Sequence, residues 1–168
     1  EDSLVQRKLL NRMLSVLGIE EEKRIILGKT AEEVLEFNNI AKELVESNKN
    51  DKFLIIADEN LDIMEDGTRR STISGSLSIE RLLWDLDPSD EARVLALVRS
   101  ANDSSEDLAS YKGRTHGFLL KAPIRPDRVL GLLRPLWKKR FHEVEIEESA
   151  QRGHIRRASR GSSLSVEQ

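Results

Sequence analysis

Two rhythms of apolar residues alternate along this chain. Between Ser3 and Gly18, the residues Val5, Leu9, Leu10, Met13, Leu14 and Leu17 fall on one helical face, and Gly18 supplies the stop. The segment 30–50 repeats the helical period through Ala31, Val34, Leu35, Ala41, Leu44 and Val45, opened by Thr30 with Glu33 three residues on, a capping-box spacing. Short continuous apolar runs form the second rhythm. They lie at 24–27, 53–57, 93–98 and 117–120, each bounded by polar residues, and predict strands buried on both faces. Between them come a short amphipathic helix over 77–86, a polar helix from Ser104 to Lys112, and a last helix over 125–141 that tolerates Pro135. Residues 62–76 hold two glycines and no sustained period, which predicts a long loop. Strands alternating with helices at this spacing predict an α/β fold with a doubly wound parallel sheet.

After Phe141 the character changes. Residues 142–168 run from acidic to basic to serine-rich with few large apolar side chains, too little burial to offset the entropy of ordering. The sequence therefore predicts one domain over 1–141 and a disordered charged, Ser-rich tail over 142–168. A chain of 168 residues suits one domain with a real core.

Composition narrows the chemistry. With 34% charged residues, 38% hydrophobic residues and a formal net charge of −3, no basic bias toward nucleic acid is present. There is no cysteine, so thiol catalysis, disulfides and cysteine-ligated zinc are excluded. Three scattered histidines (His116, His142, His154) argue against a histidine metal site. No apolar run approaches the ~20 residues of a membrane span, and the first residues lack a signal-peptide pattern. The expectation is a cytoplasmic protein without membrane insertion.

In a parallel sheet all the carboxyl ends lie along one edge, where ligands bind. Asp58 follows the strand at 53–57, Ser100 stands just beyond the strand at 93–98, and Lys121 follows the strand at 117–120. Glu1 and Asp2 stand before the first helix, where an earlier strand would end. Three carboxylates, a hydroxyl and an ammonium would meet in one crevice. Clustered carboxylates repel unless a cation sits among them, and Mg²⁺ prefers such hard oxygen ligands. An Asp in that setting can attack a phosphoryl group, while the Lys and Ser hold its oxygens.

The segments "EDSLVQRKLLNRMLSVLG", "GKTAEEVLEF", "FLIIADENLD", "VLALVRSAND" and "GFLLKAPI" resemble the receiver domain of two-component response regulators and hybrid histidine kinases, in the same order over roughly residues 1–140. The resemblance implies a flavodoxin-like sheet of order 2-1-3-4-5. It also implies that Asp58 accepts phosphate, Glu1 and Asp2 bind Mg²⁺ with Asp58, and Asn60 lends a backbone carbonyl to the metal. Ser100 and Lys121 take the family's hydroxyl and lysine positions, and Phe118 the aromatic switch position. The implied function is a phosphorelay signalling module that takes its phosphoryl group from a histidine kinase or histidine phosphotransfer domain. Slow self-dephosphorylation follows from the same resemblance, and with no DNA-binding module after residue 141 the expected place is the C-terminal end of a hybrid kinase. The sequence departs from the pattern in Ala122 before Pro123, in Asp62 where proline is common, and in the length of the 62–76 loop.

Two other readings use the same residues. A pseudo-receiver would bind partners without chemistry, but its mark would be loss of Asp58, Lys121 or the acidic pair, and all are present. A haloacid-dehalogenase-type phosphatase needs an acid two residues after the nucleophile, where Asn60 stands. Within the tail, Arg156 to Ser159 resembles a site for arginine-directed kinases, making Ser159 a candidate phosphosite. The first strand of the expected sheet has no counterpart before Glu1. The expectations are therefore a chain that forms part of a longer polypeptide and a strand-wide gap between 24–27 and 53–57, with direct pairing of those two segments as the alternative.

Overall fold

The structure is a computed structural model, and it describes residues 4–65, 68–121, 125 and 127–141. Three parallel strands form the main sheet: β1 (Phe53–Asp58), β4 (Val94–Ser100) and β5 (Gly117–Leu120), in the order β1-β4-β5. Each matches an apolar run of the sequence, and Asp58 pairs in register with Arg99. Ser100 belongs to β4 itself and pairs with Leu120, one residue further in than the sequence predicts.

Alternation along β4 explains its burial on both faces. Val94, Ala96 and Val98 join Ala57, Ala41, Val45, Ile79, Leu82 and Tyr111 on one side of the sheet. Apart from Ala57 of β1, these partners come from helices α3 (Phe37–Ser47), α4 (Gly75–Asp85) and α6 (Ser105–Arg114). Leu95 and Leu97 join Leu119, Leu133 and Phe141 on the other side, with Leu17 at the end of α1 (Leu4–Val16) packed against them. Leu133 and Phe141 lie on α7, residues 127–141, which runs through Pro135. The architecture is therefore mixed α/β, with helices on both faces of a parallel sheet.

Three expectations change. The helix expected over 30–50 is broken into α2 (Ala31–Leu35) and α3, with Glu36 between them outside regular helical geometry (φ −84°, ψ 1°). The Thr30 cap holds, its side chain accepting from the Glu33 amide at 3.2 Å, while the Glu33 carboxylate accepts from the Gly28 and Lys29 amides at 2.8 Å. Of the expected loop 62–76, the described residues 62–65 and 68–76 are not a loop. They contribute to a hairpin of β2 (Asn60–Glu65) and β3 (Thr68–Ser74) and to the start of α4. Its inner residues Leu61 and Ile63 pack with Val34 of α2. A four-residue helix, α5 (Pro88–Glu91), precedes β4.

The third change is at 24–27, which is not a strand. A strand needs a neighbour, and among the described residues β1 is paired with β4 alone. The segment pairs directly with neither edge, so the alternative of a sheet closed by 24–27 against 53–57 does not occur. An apolar cavity of about 230 Å³ lies between them instead, lined by Ile25, Leu27, Ile40, Leu44, Leu54 and Ile56 among others. No described helix is long and apolar enough to cross a membrane. Residues 142–168, with the Ser159 candidate, lie outside the described residues.

Candidate functional site

Strand alternation decides which side chains meet at the carboxyl edge. Asp58 follows Leu54 and Ile56 onto the α7 face of the sheet, and Arg99 follows Leu95 and Leu97 onto that same face. Their register then brings them together: Arg99 Nε donates to Asp58 Oδ1 at 2.6 Å, with both residues only 2% exposed. Lys121, the first residue after β5, reaches Asp58 Oδ2 at 2.6 Å. Its backbone amide donates a hydrogen bond to the Ser100 carbonyl at 2.8 Å. One carboxylate is thus gripped from two neighbouring strands by a guanidinium and an ammonium.

Ser100 is also 2% exposed but continues the parity of Val94, Ala96 and Val98, toward α6. There the Tyr111 hydroxyl donates to its Oγ at 3.2 Å, and the Asn102 amide donates to the same atom at 3.1 Å. Phe118 shares this face and stacks on Tyr111, with ring centroids 5.5 Å apart and planes 15° from parallel. The structure therefore brings Asp58 and Lys121 together, and groups Ser100 with Phe118 through Tyr111. Arg99 and Tyr111 are the residues that sequence reasoning missed. Arg99 was visible as the one charged residue inside the apolar run 94–98 extended to Ser100. Tyr111 left no comparable signal, being a lone aromatic on a polar helix.

The turn after Asp58 is fixed by a dense set of bonds. The Glu59 amide donates to the Arg99 carbonyl at 2.8 Å, and the Glu59 carbonyl accepts from the Gly75 amide at 2.9 Å. Its carboxylate accepts from Ser74 Oγ at 2.8 Å and from the Ser76 amide at 2.9 Å, at the start of α4. An acid in the first turn of a helix complements the unsatisfied amides there. Gly75 is required at this junction, because a Cβ on it would lie 2.0 Å from the Asp58 carbonyl oxygen. Asn60 opens β2 opposite Ser74, and Asp62 accepts from Thr72 Oγ1 at 2.7 Å across the hairpin.

A divalent ion at Asp58 can be tested against these groups. Both Asp58 oxygens already face cations, and Glu59 is committed to α4. Among the described residues no cluster of three or more acids or histidines could hold a metal. The described side chains therefore do not by themselves fit Mg²⁺. Glu1 and Asp2, the acidic pair expected to bind it, lie outside the described residues, as do Ala122 and Pro123.

No family model and no curated protein matches the chain. Among solved structures it is similar to a yeast Spc42 trimeric coiled coil, amino acids 181–211, fused to another structure. The identity is 15% and the TM-score 0.56, covering 96% of this chain and 86% of that chain. At this identity the likeness is one of fold alone.

Proposed function

We infer that the chain is a phosphoacceptor module of the receiver type, in which Asp58 takes a phosphoryl group from a phosphohistidine donor and the change is passed to a partner surface. The observation that carries the reading is the Asp58 carboxylate at the end of β1 with Lys121 Nζ 2.6 Å from one oxygen. A strand end holds the nucleophile rigidly, and a lysine at that distance can follow the transferred phosphoryl oxygens as charge moves onto them. In the reaction an Asp58 oxygen forms a bond to phosphorus, the donor's P–N bond breaks, and the leaving imidazole nitrogen keeps the electron pair. Ser100, Tyr111 and Phe118 form a continuous contact beneath the edge, suited to relay a change at the site toward α6.

The finer fold belongs to the same proposal. A strand seated in the cavity between Ile25–Leu27 and β1 would complete the flavodoxin-like order 2-1-3-4-5. Glu1 and Asp2, on which the Mg²⁺ expectation rested, lie outside the described residues, and no step of this reading runs through the metal.

A second reading draws on the Arg99 contact: a carboxylate closed by two cations also suits a pseudo-receiver that only binds partners. Incubation with phosphoramidate, followed by intact mass measurement, separates the two. One added phosphoryl group that Asp58→Asn removes supports the acceptor; an unlabelled wild-type protein, or a label that survives Asp58→Asn, refutes it.

A further inference from the structure

We propose that the Arg99 guanidinium holds at Asp58 the place a divalent cation would take, so that phosphoryl acceptance at this site does not depend on divalent metal. The inference rests on the acceptor reading above and adds to it the source of positive charge. Three observations carry it. The β1–β4 register sets Asp58 directly beside Arg99 on one face of the sheet. The Arg99 side chain is 2% exposed and its Nε lies 2.6 Å from Asp58 Oδ1, while Lys121 holds Oδ2. The only other acid of the turn, Glu59, is drawn away to the first turn of α4.

The placement of charge points the same way. The Arg99 guanidinium and the Lys121 ammonium both face the Asp58 carboxylate, where the added charge of an aspartyl phosphate would develop. A guanidinium is planar and permanently charged, and its fork matches phosphoryl oxygens as well as a carboxylate. Mg²⁺ demands near-octahedral oxygen ligation and keeps several waters. To bind at Asp58 it would have to drive Arg99 out of a buried ion pair, which is costly once one partner is left behind. With phosphoramidate as donor, a P–O bond forms to an Asp58 oxygen and the P–N bond breaks. The nitrogen departs as ammonia, and no further reactant is needed.

The test uses the whole chain in two measurements. Calorimetric titration of wild type with Mg²⁺ alone should show no saturable binding. Labelling by phosphoramidate, read by intact mass, should reach the same extent in chelator as in Mg²⁺. Arg99→Gln should slow it by about a hundredfold, the usual cost of removing one fixed charge-stabilising donor, and Arg99→Lys should recover part of the rate. Circular dichroism checks that the variants are folded, and the wild-type comparison stands without them. Labelling that requires Mg²⁺, or saturable Mg²⁺ binding by wild type, overturns the inference and leaves Asp58 as acceptor. No labelling of wild type under either condition overturns both.

Discussion

Removing the Asp58 carboxylate should cost the fold heavily, and removing its partner as well should restore much of the loss. In Asp58→Leu the buried Arg99 loses the carboxylate that faces its Nε at 2.6 Å, while Lys121, whose side chain is 27% exposed, can turn to water. The cost is therefore concentrated on Arg99. Breaking a buried ion pair on one side typically destabilises by about 3–5 kcal/mol, whereas replacing both partners by apolar residues is often neutral or better. Against a typical domain stability of ~5–15 kcal/mol, the single change consumes a large fraction of the total. The double variant Asp58→Leu/Arg99→Met should lie within about 1 kcal/mol of wild type. Urea unfolding reads both. With a slope of ~2 kcal/mol per molar, the single variant should lose about 2 M in its midpoint and the double should regain most of it. Asp58→Asn keeps a carbonyl oxygen for Arg99 and should fall between, which is why it serves as the labelling control. If Asp58→Leu loses less than about 1 kcal/mol, or if the two changes simply add, Asp58 and Arg99 do not form the buried pair described.

Two further outcomes follow from other parts of the molecule. His116 Nδ1 accepts from the Ala96 amide at 3.0 Å, so that nitrogen carries no proton, and Nε2 lies 3.4 Å from Glu91 Oε1 beside Arg140. Burial first, and the Arg140 charge second, push its pKa below the ordinary value, with Glu91 pulling the other way. The unfolded chain therefore binds this proton more readily, and the stability is fully present above about pH 6.5 and lost as pH falls through the lowered folded value. Thermal midpoints should drop between about pH 7.5 and 5.5, and His116→Gln should flatten that part of the profile; an unchanged slope in the variant would assign it elsewhere. Along β1, the amides of Phe53 and Glu59 bond across to β4, so by alternation those of Ile55 and Ala57 do too, and those of Leu54 and Ile56 point toward the cavity. Leu54 and Ile56 should exchange hydrogen at least about tenfold faster, the worth of one net hydrogen bond; equal protection would mean that this edge is covered.

The amino-acid sequence by itself determined what depends on neighbours along the chain. The period of Leu10 and Met13, the Thr30 cap with Glu33 behind it, and the runs at 53–57 and 117–120 specify helix or strand locally, and the structure has them there. The hairpin was also written in the sequence. Leu61, Ile63 and Ile73 lie on either side of Asp66-Gly67, a strong turn signal, which the polar residues between them obscured. That Asp58 and Lys121 would share an edge follows from parallel strands whose ends align. Only the tertiary structure decided the rest. Whether Arg99 faces Asp58 depends on β1–β4 register and on which face each strand presents, and a slip of one residue would send the guanidinium to the opposite side. The same parity turns Ser100 toward Tyr111, a contact between β4 and α6 that no local pattern encodes. At 24–27 an apolar run with strand character is not a strand, because strands are made by pairing in three dimensions, and among the described strands neither edge of the sheet pairs with it.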